Sequence, residues 1–444
     1  MVIQLPDKVT TIINTLQGAG FEAYAVGGCV RDSLLGRDPK DWDITTSAKP
    51  EQVKSLFSKT IDTGIQHGTV TIMLGKEGFE VTTYRVDGIY EDARHPKEVA
   101  FTVNLAEDLK RRDFTINAMA YNEQEGLIDI FQGKEDLHNK IIRCVGNPIH
   151  RFTEDALRMM RAVRFAAQLG FSIDAKTLNS IRPLSENLSK ISGERIQIEL
   201  VKLLVSDNPK TFQTVYETGM SRVFLPEFDA LMNTPQNNPH HCYNVGEHTL
   251  TAIDNIGKDK VLRLTMLLHD IAKPLCKTID EEGIYHFYGH PQKGAWMAQQ
   301  ILRRLKFDND TIYKVTALIQ WHDDNPPISK KSVRFAVYRI GLQQYPALFE
   351  VKRADNLAKS SYQRKEKMAY VDQYEQCYEE IMEQQECLSL RELAVTGKDL
   401  IALGMKPGKK IGETLTWLLE YVLEYPQNNI KERLIEQVKI HEKI

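Results

Sequence analysis

The chain has 444 residues, 42% hydrophobic and 26% charged, enough for three or four globular units. A net charge of −3 excludes a globally basic nucleic-acid binder, so any nucleic acid must meet a local basic patch. Six scattered cysteines without a C-x-x-C pair exclude a zinc ribbon and a disulfide framework, and no run of ~18 uncharged apolar residues offers a membrane span.

The opening Met-Val-Ile-Gln-Leu-Pro lacks the basic start and apolar run of a signal peptide; with its cysteines reduced, the chain is expected in the cytoplasm. Amphipathic helices are predicted at 7–18 and 49–57. Short β-rich segments at Glu22–Val26, Trp42–Thr45, Thr69–Leu74, Phe79–Thr83 and Leu127–Ile130 read as one sheet. From Phe152 the pattern turns helical, with apolar residues three and four apart in Ala156–Leu169 and Ile196–Leu204. The fold class is therefore α+β, a head with a mixed sheet followed by an all-helical body. The polar, proline-bearing stretch Asn233–His240 marks a boundary before a histidine-rich helical unit, and a charged helix after Ala358 leads into Leu388–Ile444. The expected units are a head at 1–148, a neck at 149–230, the histidine-rich unit at 231–360 and a tail at 361–444.

The richest signal is Gly27-Gly-Cys-Val-Arg-Asp-Ser-Leu-Leu-Gly36 followed by Asp41-Trp-Asp-Ile44. Asp41 and Asp43, separated by one residue, share a face if they lie on a strand and can then hold Mg²⁺ through oxygen ligands. Gly27 and Gly28 let backbone approach phosphate without a Cβ in the way, and Arg31 offers a fork-shaped phosphate partner. An Asp-x-Asp pair alone is commonplace in surface turns; the order of apolar strand, diglycine, short helix and aspartate pair is what carries weight.

This block resembles the opening signature of class II tRNA nucleotidyltransferases, the family of CCA-adding enzymes and bacterial poly(A) polymerases. The resemblance implies that Asp41 and Asp43 are the catalytic magnesium ligands, with tRNA, CTP and ATP as partners and no obligate protein partner. Glu80, on the predicted strand Glu80–Arg85, is a candidate third carboxylate. The polar segment 87–99 reads as a mobile loop beside the site, and by resemblance it is the loop of members that add the final adenosine. Arg111-Arg-Asp-Phe-Thr-Ile-Asn117 matches the family's sugar-and-phosphate motif, which assigns Arg112, Asp113 and Asn117 to the nucleotide alongside Gly28 and Arg31. In Glu154-Asp-Ala-Leu-Arg158, Asp155 and Arg158 are expected on one helix face, where the family uses them as a protein template for the Watson–Crick edge of C or A. Arg161 and Arg164 continue the basic stripe, while Glu194 and Arg195 resemble a supporting motif.

Residues 240–355 carry a different chemistry. His248, the doublet His269-Asp270, and Asp355 resemble the ordered ligand set of HD phosphohydrolases, and His290 and His322 complete a second metal position. Imidazoles and carboxylates suit manganese, nickel, iron or magnesium, and by resemblance such a unit hydrolyses phosphoesters such as 2′,3′-cyclic phosphates. The segment Leu393–Gly412 resembles the tRNA-binding tail of bacterial CCA-adding enzymes, with a capped helix pair as its plain structural reading. The expected activity is template-independent CCA addition with release of pyrophosphate. Two rivals are a poly(A) polymerase or A-adding enzyme, and an HD phosphohydrolase whose head serves only to bind RNA. His67-Gly-Thr-Val70 stands where poly(A) polymerases tend to carry an arginine-rich segment, and intact Asp41, Asp43, Asp155 and Arg158 argue against the second rival.

Overall fold

The apolar run Ala23–Val26 is buried along its whole length and forms an inner strand of a seven-stranded mixed sheet. In this computed structural model, which describes residues 2–87 and 99–442, the strand order is Thr60–Gly64, Thr69–Leu74, Glu77–Thr83, Ile44–Thr46, Ala23–Val26, Ala120–Asn122, Gly126–Ile128. Only the pairing of Ile44–Thr46 with Glu77–Thr83 is parallel, in the register Ile44↔Val81; the rest are antiparallel. The helices Asp7–Gly18 and Pro50–Leu56 lie where their amphipathic patterns place them. Tyr24, Val26, Tyr84, Leu105, Leu109 and Ala120 pack into one buried cluster. Each large apolar side chain there contributes about 1.5–3 kcal/mol by leaving water, and this holds the strand ends that carry the site.

The chain divides into two compact units, Met1–Pro226 and Glu227–Ile444. The first unit continues past its sheet into helices, of which Leu157–Leu169 and Gly193–Leu204 pack against each other. Gly170, at φ 70°, ends the first of them in the left-handed conformation that glycine adopts without strain.

The second unit is helical apart from a small hairpin, Thr278–Ile279 with Tyr285–His286. Several of its helices start on side chains that satisfy orphan N–H groups. Asn244 and Glu247 form a reciprocal capping box, while Asp259 accepts from the amides of Val261 and Leu262. The segment Leu393–Gly412 contains the capped helix Gly397–Ala402, with Thr396 and Asp399 as its capping box, and runs into the helix Lys409–Glu424. The predicted loop at 87–99 falls largely on residues 88–98, outside the described residues.

Candidate functional site

Gly27 closes the inner strand at φ 83°, and a Cβ there would lie 3.2 Å from Arg112 Nη1. Glycine is thus favoured by the backbone angle, and a Cβ would in addition crowd the guanidinium. The turn aims the short helix Gly28–Leu34 into a cavity of about 480 Å³. Gly28, Arg31, Asp43, Arg112, Asp113, Asn117, Asp155, Arg158, Arg161 and Arg164 all line it, so the structure brings together every residue assigned to the nucleotide. Gly27, Arg111, Leu157, Phe165 and Arg195 line it as well.

Asp113 organises the floor. Its Oδ1 accepts from the Phe114 amide at 2.8 Å and from Asn117 Nδ2 at 3.1 Å, and its Oδ2 accepts from Arg161 Nε at 2.8 Å. Burial disfavours its charge, but Arg161 and the Asn117 amide more than compensate and hold the carboxyl well below the usual range. Asn117 in turn accepts from Arg31 Nη1 at 2.6 Å, which fixes that guanidinium together with Asp32. Phe165 is the hub of the basic wall: Arg164 lies 3.5 Å over its ring, with Arg31 at 5.1 Å and Arg161 at 5.4 Å. Sequence reasoning missed Phe165 and also Glu199, whose Oε2 accepts from Arg164 Nε at 2.8 Å. The signal for Glu199 was a carboxylate at a core position between Ile196 and Leu203, since a buried acid demands a partner.

Asp155 and Arg158 do not share a helix face. The helix Pro148–Glu154 ends before Asp155, which is extended, and the next helix begins at Leu157. The break occurs because Asp155 Oδ1 accepts the Leu157 amide at 3.0 Å, so the carboxylate caps the helix that periodicity would have it continue. Its Oδ2 accepts from Arg195 Nη2 at 2.8 Å, and Arg158 Nη1 donates to Glu154 Oε2 at 2.8 Å and Nη2 to the Arg111 carbonyl at 2.9 Å. Both side chains still line the cavity.

Asp41 and Asp43 precede the strand Ile44–Thr46 rather than lying within it, although the Val26 amide donates to the Asp43 carbonyl at 2.9 Å and holds that end to the sheet. Asp43 is shared between the arginine cavity and a neighbouring cleft of about 790 Å³ that Asp41 and Glu80 also line. Burial and the charge of Asp41 raise the Asp43 carboxyl against the pull of Arg112. Neither carboxylate makes a hydrogen bond or ion pair among the described residues. Two adjacent hard oxygen donors, mutually repelling and unpaired, fit Mg²⁺. Glu80 neighbours Asp43 by the parallel register, yet among the described residues the sets of three potential ligand groups whose atoms lie within 4.8 Å of one another occur elsewhere.

Those sets are His248, His269, Asp270 and Asp270, His290, His322, all buried in the second unit, with Asp270 common to both. His248 Nε2 lies 3.0 Å from Asp355 Oδ1 and 3.2 Å from His269 Nε2; His269 Nε2 is 3.2 Å from Asp270 Oδ2, and His290 Nε2 is 3.3 Å from Asp270 Oδ1. His269 and Asp270 sit just past the end of the helix Lys260–Leu268, so helical periodicity does not force the adjacent pair apart. His322 likewise follows the helix Asn309–Trp321. At these ends the last carbonyls lack helical partners, and the histidines use them: the Nδ1–H of His269 donates to Met266 O at 2.8 Å, that of His322 to Ile319 O at 2.7 Å, and that of His248 to Ala358 O at 3.2 Å. His290 Nδ1 donates to Phe287 O at 2.8 Å. Every Nε2 is thereby turned inward toward the carboxylates, where it becomes a ligand lone pair once a metal displaces any proton it carries. Burial opposes protonation of His269, but Asp270 and Asp355 carry it up to about 9; Asp270 and Asp355 are held well below their ordinary range despite burial, by His269 and Lys273 for the one and Lys359 for the other. Asp270 Oδ2 has no properly oriented hydrogen-bond donor although Lys273 Nζ lies 2.7 Å away. An orphaned carboxylate oxygen among four inward imidazoles fits a pair of divalent transition metals.

Comparison with known proteins agrees along the chain. Residues 23–143 match the Poly A polymerase head domain, 170–232 the RNA and SrmB-binding site of polymerase A, and 290–438 the tRNA nucleotidyltransferase domain 2 family. The CCA-adding enzyme of Lactobacillus helveticus is 38% identical over 431 residues, covering 95% of this chain and 94% of that one. That of Ligilactobacillus salivarius is 36% identical over 448 residues, covering 99% and 98%. Among solved structures, the Bacillus stearothermophilus CCA-adding enzyme in complex with CTP superposes with a TM-score of 0.70 at 29% identity, covering 98% of both chains. Among the described residues no helix is long and apolar enough to cross a membrane.

Proposed function

The chain belongs to the CCA-adding enzymes, and from that premise we propose that it adds C, C and A in turn to the 3′ end of tRNA, using CTP and ATP and releasing pyrophosphate. The observation that carries this reading is Asp43, which joins an arginine cavity sized for one nucleotide to a carboxylate cleft open to a second substrate. Asp41 and Asp43 would hold magnesium, which when bound supplies positive charge at the reacting phosphate and lowers the pKa of the attacking hydroxyl. The chain's own residues do the rest. Arg31 and Arg112, held by Asp32 and Asp108, face the triphosphate with fixed guanidinium planes. Asp155 and Arg158 present an acceptor and donors to the base, and Arg195 and Glu154 keep them in place. The primer's 3′ oxygen then bonds to the α-phosphorus as the bridge to the β-phosphate breaks.

The test is incubation with tRNA lacking its 3′ end, Mg²⁺, and CTP and ATP singly or together. Ordered addition of two C and one A is expected; long A tails would identify a poly(A) polymerase instead.

A second activity is favoured by the histidine–aspartate cluster. With every imidazole oriented by a backbone carbonyl, His248, His269, Asp270, His290, His322 and Asp355 form a preset dinuclear ligand set for phosphoester hydrolysis. Hydrolysis of 2′,3′-cyclic AMP that requires Mn²⁺, Ni²⁺, Fe²⁺ or Mg²⁺ is the expected result, and its absence with all four would remove this reading.

A further inference from the structure

Beside the cluster stands an aromatic pair that the chemistry so far leaves unused. Tyr288 is 76% exposed, an unusual place for a tyrosine whose ring is nonetheless fixed. It stacks on His286 with ring centroids 5.3 Å apart and planes 7° from parallel. The Tyr288 hydroxyl donates to His286 Nδ1 at 3.3 Å, and His286 Nε2 donates to Asp280 Oδ2 at 2.7 Å. Asp280 is itself locked, because its Oδ1 accepts the amides of Glu282 and Ile284 and closes the hairpin loop. The hairpin is fastened in turn: the Tyr285 amide donates to Asn237 O at 3.2 Å and Asn237 Nδ2 to Gly283 O at 2.9 Å. The exposed ring has therefore given up its rotamer freedom before any ligand arrives, which is what a binding platform for a flat group requires.

The position of the platform identifies the flat group. A cavity of about 290 Å³ has Tyr285, His286 and Tyr288 on its wall and also Asp270, Asp355 and Lys359. Tyr288 is joined to the cluster residue His290 through Gly289 alone, so the distance from platform to cluster is fixed by the backbone. We propose that the Tyr288–His286 pair is the base-stacking platform of the cluster's substrate, a nucleoside bearing phosphate on its ribose. This rests on the phosphohydrolase reading. The base lies on the exposed Tyr288 face while the phosphate reaches the ions that Asp270 and Asp355 would hold, with Lys273 and Lys359 as the ammonium groups beside it. Water's oxygen bonds to phosphorus, the bond from phosphorus to the ribose oxygen breaks, and the ribose oxygen takes up the proton that water gives up. Stacking tolerates any base, so the platform selects nucleotides over base-free phosphoesters without choosing among bases.

The experiment compares adenosine 2′-monophosphate with glycerol 2-phosphate, both phosphomonoesters of a secondary alcohol, on the Mn²⁺-loaded full chain. Tyr288→Ala should raise KM for the nucleotide roughly tenfold with kcat nearly unchanged and leave glycerol 2-phosphate untouched, and Tyr288→Phe should keep most of the affinity. CCA addition by the same variants serves as the folding control. Calorimetric binding of adenosine 2′-monophosphate, with CTP saturating the head, should weaken by the same factor in Tyr288→Ala whether or not hydrolysis occurs. Equal losses for both substrates, or unchanged calorimetric affinity, overturn the platform. If wild type hydrolyses neither ester yet binds the nucleotide through Tyr288, the phosphohydrolase reading falls while the platform stands.

Discussion

In the head, Asp41 and Asp43 keep their carboxylates unpaired among the described residues, while each of the seven arginines lining the cavity is tied to a protein acid. In the second unit the reverse holds: Asp270 and Asp355 already have an imidazole and an ammonium within 4 Å. The first site waits for a ligand that brings its own cations and its own negative charge. A guanidinium has five donors, so an arginine held by one acid along one edge still offers the other to phosphate. The second site already has its candidate ligands gathered, and on the proposed reading its chemistry would depend on which ions fill it. One chain thus shows two solutions to concentrating charge, one accessible and one buried.

The contrast breaks first at its most independent members. Asp43→Ala should lower nucleotide incorporation by at least about a thousandfold, measured with radiolabelled CTP, while leaving cyclic-phosphate hydrolysis intact. The mirror experiment, His269→Ala, should lower hydrolysis by about a hundredfold or more and abolish the rise in Tm on adding Mn²⁺, with CCA addition retained. If either variant silences both activities, the two sites are not separable.

Asp113→Asn sharpens the comparison by asking whether a paired acid in the head is structural. Because its folded-state pKa lies below the unfolded value of ~3.9, its stabilisation is complete above that value and disappears as pH falls through the folded one. The variant should be less stable by about 3 kcal/mol at neutral pH, with the gap to wild type narrowing below pH ~4 in urea titrations. A gap independent of pH would mean that packing, not charge, is lost. The smallest effect is expected from Arg195→Ala, which frees Asp155. A loss of about tenfold in kcat/KM for CTP, with a changed ratio of C to A incorporation, would show Arg195 to be a positioning residue.

Much of this was legible in the sequence because burial imposes periodicity. Ala23–Val26 and Thr69–Leu74 announce themselves by their apolar content, and Asp7–Gly18 by its helical stripe. The strand Thr60–Gly64 escaped because it is largely exposed at the sheet edge, with no apolar face to display. Ala120–Asn122 escaped because three residues are too few to show alternation. The residues that line the arginine cavity were recoverable from their order, yet the helix break at Asp155 was not. Whether a carboxylate joins a helix or caps it depends on a hydrogen bond to its own backbone, which the spacing of Asp155 and Arg158 does not reveal. Phe165 was hidden for the opposite reason, since a phenylalanine among apolar neighbours reads as core until three guanidinium groups are found against it.

The backbone anchors of His269 and His322 constrain evolution of this chain in a way that ligand identity alone does not. Each ring is oriented by the carbonyl three residues upstream, at the terminus of its own helix. Inserting or deleting a single residue within either helix would swing that terminus by about a third of a turn and take ring and carbonyl with it. Lineages should therefore accept length changes in the loops between these helices while keeping the helix lengths themselves invariant, even where every histidine is retained.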